Sequence, residues 1–186
     1  MARNIILVGY RCTGKTTVGR RLAQLLGWPF ADADDHIEAV AGRSVTEIFA
    51  SEGETGFRDR ESAALAELCA RSGCVIATGG GAVLREPNRR LLKASGLVVW
   101  LTAAPDTLWG RMQTDPTTAA RRPNLTAGGG WDEVRALVAA REGLYREVAD
   151  FVRNGDSQSP DEIAAAILTE WNGGTTSRPS SGACGP

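Results

Sequence analysis

Ile5-Ile6-Leu7-Val8-Gly9-Tyr10-Arg11-Cys12-Thr13-Gly14-Lys15-Thr16 is an apolar run that breaks at a glycine and ends on a lysine and a threonine. Gly9 to Thr16 matches G-x-x-x-x-G-K-[ST], the loop whose backbone N–H groups wrap a phosphate between a strand and a helix. Both flanks meet that requirement. The four apolar residues before it read as a buried strand. After it, Val18, Leu22, Leu25 and Leu26 recur at helical spacing until Gly27 and Pro29 stop the helix. The start of that helix adds its positive dipole end at the same spot. Lys15 is expected to reach the β and γ phosphates, and the Thr16 hydroxyl to bind Mg2+. Gly9, Arg11, Cys12, Thr13, Gly14 and Thr17 complete the expected nucleotide contacts. The competing reading, an ordinary glycine-rich turn, is disfavoured by motif and context together.

Working outward, further short apolar runs lie at Cys74 to Ala77, Leu97 to Leu101 and around Phe151 and Val152, with helical patterns between them. A short strand at Pro29 to Ala31 is placed by position. Strands alternating with helices imply right-handed crossovers and a parallel sheet covered on both faces, an α/β fold in three layers. Functional loops then belong at the C-terminal ends of the strands. Thr114 to Gly130 is rich in Thr, Ala, Pro, Arg and Gly and lacks apolar periodicity; a loop of that length is usually a lid or disordered, and a lid is expected here. One domain is expected over residues 1–172. Residues 173–186, without core-forming side chains, read as a disordered tail.

At 186 residues the chain suits one core. Its 21 basic and 22 acidic residues leave a net charge of -1, which supplies no electrostatic footprint for nucleic acid or anionic lipid. Any anion site must be local. The cysteines at 12, 69, 74 and 184 show no paired metal spacing, and nothing at the N-terminus reads as a signal sequence. Reduced thiols in a cytoplasmic protein are expected. With a single histidine, His36, there is no basis for a Ser-His-Asp triad or a His-rich metal site.

Asp32-Ala33-Asp34 follows the expected second strand, so two carboxylates emerge where that strand meets the ligand crevice. Phosphoryl transfer to an alcohol needs a metal organiser and a group to receive the hydroxyl proton, and two carboxylates can divide those tasks. They could equally be N-cap and first-turn acids of the helix that follows, the role assigned to Asp35. Further on, Gly53-Glu54-x-x-Phe57-Arg58-x-x-Glu61 leads into a helix, and Thr78-Gly79-Gly80-Gly81 follows a strand. Consecutive glycines allow a ligand close to the backbone and its N–H groups. Phe57 and Phe49 read as core or pocket wall.

These motifs, with Arg122-Pro123 in the loop and Arg141-x-x-x-Tyr145 beyond it, resemble the shikimate kinase family from about Asn4 to Trp171. The resemblance implies a fold like that of the nucleoside monophosphate kinases, with a five-stranded parallel sheet in order 2-3-1-4-5 and a mobile lid. It implies ATP and Mg2+ as cofactors and shikimate, phosphorylated at its 3-hydroxyl, as the substrate. Asp34 would bind a shikimate hydroxyl and act as base, and Asp32 would help hold Mg2+ through water. Arg58 and Arg141 would clamp the carboxylate, with Gly79, Gly80 and Gly81 lining the same pocket and Glu61 orienting Arg58. Arg122 would reach the transferring phosphates, Arg111 would pack on adenine, and Gln158 would lie in the adenine loop Ser157 to Pro160. A monomer is expected, with no nucleic-acid or membrane partner. On residue type alone, Arg58 and Arg141 could be solvated helix charges.

Two positions depart from the family pattern. Cys12 stands where glycine is usual, and Asn124 stands where an apolar residue usually follows Arg-Pro. A small Cβ fits at position 12 provided its backbone angles stay in an ordinary region. The rivals are a kinase for another small hydroxy acid such as gluconate, which gives no reason for the G-E-x-x-F-R-x-x-E and Gly-Gly-Gly motifs, and a nucleotide-binding module without turnover.

Overall fold

Five strands pair in parallel in the order β2-β3-β1-β4-β5, as the resemblance implies. They are β1 (Asn4–Val8), β2 (Phe30–Asp32), β3 (Val75–Ala77), β4 (Gly96–Thr102) and β5 (Phe151–Asn154). The structure, a computed structural model, describes residues 3–114 and 130–175. The helices are α1 (Lys15–Leu26), α2 (Ala33–Ala41), α3 (Val45–Cys69), α4 (Glu86–Ser95), α5 (Pro105–Thr114), α6 (Gly130–Val148) and α7 (Pro160–Thr175), with a 3-10 turn at Ala82–Leu84.

Every residue of β1 is buried because the strand is central and covered on both faces, which is why its sequence is an unbroken apolar run. Side chains alternate between the two covers. Ile6 and Val8 join Ile76, Val98, Leu65, Leu68, Leu92, Tyr145 and Val148 under α3, α4 and α6. Ile5 and Leu7 join Val75, Val99, Leu101, Val18, Leu22, Ile163 and Ile167 under α1 and α7. Three layers result. Ile5, Ile6 and Leu7 lie in register with Val75, Ile76 and Ala77 on one side and with Leu97, Val98 and Val99 on the other.

Local chemistry shifts several expected boundaries. Pro29 has no N–H to give a ladder, so it contributes only its carbonyl to Val75 N (3.0 Å), and β2 begins at Phe30. The inner face of α1 uses Val18, Gly19, Leu22 and Ala23, whereas Leu25 is 44% exposed rather than part of the apolar stripe. A Cβ on Gly19 would stand 2.5 Å from the Phe30 ring, so the glycine lets α1 lie close on the sheet. The helix stops as expected: Gly27 takes φ 66, and Trp28 N donates to Ala23 O at 3.0 Å. Gly53, at φ 69 and ψ -174, breaks α3 into two helical stretches, and Glu54 to Glu61 lie on the second. Phe57 is core, stacked on Phe49 with ring centroids 4.4 Å apart. At the far end α7 continues to Thr175, past the boundary expected at 172.

Residues 115–129 of the expected lid, including Arg122 and Asn124, and residues 176–186 of the expected tail lie outside the described residues. The helices that flank residues 115–129 pack on the phosphate loop: Leu108 of α5 and Val134 of α6 share a buried cluster with Tyr10 and Ala103. At their base, Trp131 Nε1 donates to Asp106 at 2.6 Å.

Candidate active site

The loop from Gly9 to Gly14 turns the chain from β1 into α1, and its backbone needs explain its residues. Gly9 takes φ 145, and a Cβ there would lie 2.2 Å from Leu101 O on the neighbouring strand. Gly14, at φ 92, caps the start of α1. Cys12 takes φ 62, the left-handed region, and is the one non-glycine residue to do so among the described residues. The condition under which a Cβ fits freely at position 12, ordinary backbone angles, is therefore not met. The loop requires a left-handed turn where the chain supplies a side chain, which costs about 1–3 kcal/mol for a non-glycine residue.

Side chains tie the loop together. Thr13 Oγ1 donates to Tyr10 O at 2.9 Å, and Lys15 Nζ donates to Gly9 O at 2.9 Å and Tyr10 O at 2.7 Å. Lys15 is 8% exposed, its ammonium held by carbonyls at the centre of the loop. The loop forms one wall of a cavity of about 510 Å3, lined also by Thr16, Thr17, Asp32, Asp34, Arg111 and Gln158. Arg111 donates to Cys12 O at 3.1 Å and to Gly155 O at 2.8 Å, so its guanidinium bridges the phosphate loop and the turn after β5. That turn leads to Gln158.

Of the two readings of Asp32-Ala33-Asp34, the helix-cap reading is observed, and it leaves the other carboxylate oxygen of Asp32 facing the phosphate loop. Asp32 is the last residue of β2 and the N-cap of α2; its Oδ1 accepts from Asp34 N at 3.0 Å. Its Oδ2 accepts from Thr16 Oγ1 at 2.9 Å. One carboxylate thus caps a helix and meets the expected metal-binding hydroxyl. Burial pushes the Asp32 carboxyl up, against the lowering pull of the Thr16 hydroxyl. Asp34, half-buried in the first turn of α2, lines the same cavity, while Asp35 is exposed in that turn as expected. No group of three or more His, Cys, Asp or Glu side chains suited to a metal occurs among the described residues. The Thr16–Asp32 pair still fits Mg2+, which takes one or two protein oxygens together with substrate phosphates and water.

A second, more buried cluster gathers Arg58, Glu61, Arg141 and the glycine triplet. Arg58 is 8% exposed and donates to Glu61 Oε2 at 2.7 Å and to Glu54 Oε1 at 3.2 Å. Burial pushes the Glu61 carboxyl up, opposed chiefly by Arg58. Arg141, on α6, donates to Gly80 O at 3.2 Å, and Tyr145 Oη donates to the same carbonyl at 2.6 Å. Neither arginine is a solvated helix charge. None of the triplet lines the cavity beside the phosphate loop; instead, a Cβ on Gly81 would stand 2.2 Å from Arg58 Nη1 and 2.5 Å from its Cζ. The bare Cα is the seat of that guanidinium. Thr78, which both donates to Leu7 O and borders the cavity, joins this cluster to the phosphate side.

Sequence reasoning gave no role to Tyr10, which occupies an open position of the motif, or to Glu133. Glu133 is buried in the first turn of α6 and lies 3.6 Å from Arg11 Nη2. An acid in the first turn of a helix is too common to signal such a partner across the chain.

A family model described as shikimate kinase matches residues 11–172. The shikimate kinase of Rhodopirellula baltica is 49% identical over 166 residues, which is 89% of each chain. The solved shikimate kinase of Acinetobacter baumannii in complex with shikimate superposes with a TM-score of 0.86 at 40% identity, covering 94% of this chain and 95% of that one. A gluconokinase from Sinorhizobium meliloti, at a TM-score of 0.56 and 18% identity, shares only the fold. With the phosphate loop, the paired aspartates and the buried arginines in the arrangement described, the chain belongs to the shikimate kinase family.

Proposed function

We propose that the protein transfers the γ-phosphate of ATP to the 3-hydroxyl of shikimate, releasing ADP and shikimate 3-phosphate in aromatic amino acid biosynthesis. The observation that carries the reading is that Asp34 borders the same cavity as Lys15, Thr16 and Asp32. A proton acceptor and a phosphate cradle therefore face one space. The hydroxyl oxygen forms a bond to the γ-phosphorus as the bond to the β,γ-bridging oxygen breaks, and the hydroxyl proton passes to Asp34.

Lys15 and the N–H groups of the loop residues Gly9, Arg11, Cys12, Thr13 and Gly14 bind the phosphates, and Thr16 and Asp32 would hold Mg2+. When bound, Mg2+ neutralises charge on the β and γ phosphates. Thr17, Arg111 and Gln158 border the nucleotide. Arg58 and Arg141 bind the substrate carboxylate, which a planar guanidinium matches in bidentate fashion, and Gly79, Gly80 and Gly81 shape that end of the site. Arg122 binds the transferring phosphate. The protein acts as a cytoplasmic monomer without nucleic-acid or membrane partners; no described helix is long and apolar enough to cross a membrane.

ADP release measured by a coupled assay tests the proposal against a panel of shikimate, gluconate, quinate and nucleoside monophosphates. Turnover should require shikimate. Equal or faster turnover of gluconate would reject the substrate, and absence of turnover with every acceptor would reject the enzyme.

A further inference from the structure

Tyr10 stands at a position that the phosphate-loop motif leaves open, and its ring lies where the two halves of the site meet. Its backbone is fixed by the loop, since Tyr10 O accepts from both Thr13 Oγ1 and Lys15 Nζ. The side chain, 3% exposed, points into the packing between the loop and α6. There the Arg141 Cζ lies 5.7 Å from the ring centroid and the Arg11 Cζ lies 5.6 Å from it. Both cations are within cation–π range, and both are buried, where the attraction is greatest. Arg11 is anchored in turn by Glu133 at 3.6 Å, and Glu133 sits two turns before Arg141 on the same helix. Loop, ring and helix thus form a closed set of contacts with Arg141 at one end.

We infer that Tyr10 is a positioning residue for substrate selection, its aromatic ring holding the Arg141 guanidinium at the angle at which it receives the substrate carboxylate. The inference rests on the proposed role of Arg141. From Arg141 itself a hydrogen bond runs to Gly80 O at 3.2 Å and holds one Nη; the Tyr10 ring is a second contact, on the guanidinium as a whole. An arginine needs a planar approach to bind a carboxylate through two N–H groups, so its tilt decides affinity in a way that a lysine's would not. Burial keeps the Tyr10 phenol protonated, against the pull of Arg11 and Arg141, so the ring presents a neutral face. The Tyr10 hydroxyl lies beside Arg11 without a hydrogen bond of good geometry among the described residues. The ring is therefore the working part.

The test is steady-state kinetics of wild type, Tyr10→Phe and Tyr10→Leu with ATP, using shikimate and its carboxamide analogue as acceptors. Tyr10→Leu should raise KM for shikimate about 2- to 30-fold, the range of one cation–π contact from exposed to buried, with burial favouring the upper end. The preference for shikimate over the carboxamide should fall by the same factor while KM for ATP moves far less. Tyr10→Phe should restore the preference to about the wild-type ratio. A merely structural tyrosine would instead raise both KM values together, and that result overturns the inference, as does an unchanged preference in Tyr10→Leu or a lost one in Tyr10→Phe. If the leucine variant does not fold, Tyr10→Met, which keeps the buried volume, is judged by the same ratio. A wild-type enzyme that turns over both acceptors equally well refutes the carboxylate role of Arg141 and this inference with it. A wild type that prefers shikimate beside a Tyr10→Leu that prefers it equally refutes the inference alone.

Discussion

Gly81→Ala should disable the enzyme through Arg58 without touching the phosphate loop. The new Cβ would lie 2.2 Å from Arg58 Nη1, 2.4 Å from Nη2 and 2.5 Å from Cζ. Ordinary contact needs about 3.5 Å, so the guanidinium must withdraw by roughly 1 Å. An exposed arginine would do so at little cost. Arg58 is 8% exposed and bound at 2.7 Å to Glu61, which is itself 1% exposed, so a shift of that size stretches or breaks a buried charged hydrogen bond. Deleting one partner of such a pair outright costs about 3–5 kcal/mol. With Arg58 still present and able to re-pair in part, the loss of stability should be nearer about 1–3 kcal/mol, which for a chain of this size lowers the melting temperature by about 2–4 °C per kcal/mol. A displaced guanidinium also forfeits a charged hydrogen bond to the substrate, about 1.5–3 kcal/mol, so KM for shikimate should rise roughly 10- to 150-fold. KM for ATP should change little. The decisive assay is a double-mutant cycle with Arg58→Ala, in which the clash has no target and Gly81→Ala should add almost nothing. A Gly81→Ala enzyme with the wild-type KM for shikimate, or effects that add in full, would refute this account of the triplet.

Lys15→Met should nearly abolish turnover while leaving the circular dichroism spectrum close to wild type, because Lys15 belongs to none of the apolar clusters; losing its two buried hydrogen bonds to loop carbonyls should lower the melting temperature by only a few degrees. Turnover near wild type would remove Lys15 from the chemistry. Asp34→Asn should lower kcat by roughly 10²- to 10⁴-fold, the range for a positioned base, with a much smaller change in KM for shikimate. An unchanged kcat would leave Asp34 only its place in the first turn of α2. Cys12→Gly should raise the melting temperature by about 2–4 °C, since relief of a left-handed non-glycine residue is worth about 1 kcal/mol or more. ATP should bind as well or better in a titration; a lower melting temperature with weaker binding would show that the thiol contributes more than its strain costs.

The chain's order of elements was legible because it depends on local patterns. An unbroken apolar run announces a buried strand, a glycine and a proline announce a helix end, and the phosphate loop is a continuous segment whose spacing is itself the chemistry. The strand order and the identities of Arg58 and Arg141 came from resemblance to a family, since no local rule says which strands become neighbours or which arginines become buried. Tertiary packing decided the rest. It gave Asp32 two roles at once, because β2 ends where α2 begins and where Thr16 faces it across the crevice. It left Leu25 exposed and put Gly19 on the inner face of α1, where a Cβ would stand 2.5 Å from the Phe30 ring. It forced Cys12 to φ 62, a backbone state set by the path of the loop. It made Gly81 a seat for a guanidinium and put Tyr10 between Arg11 and Arg141. These partners are separated by between 23 and 131 residues along the chain for Arg58–Gly81 and Tyr10–Arg141 respectively. A sequence read one window at a time carries the propensity of each segment, whereas a contact between segments exists only after the sheet has set their distance and angle.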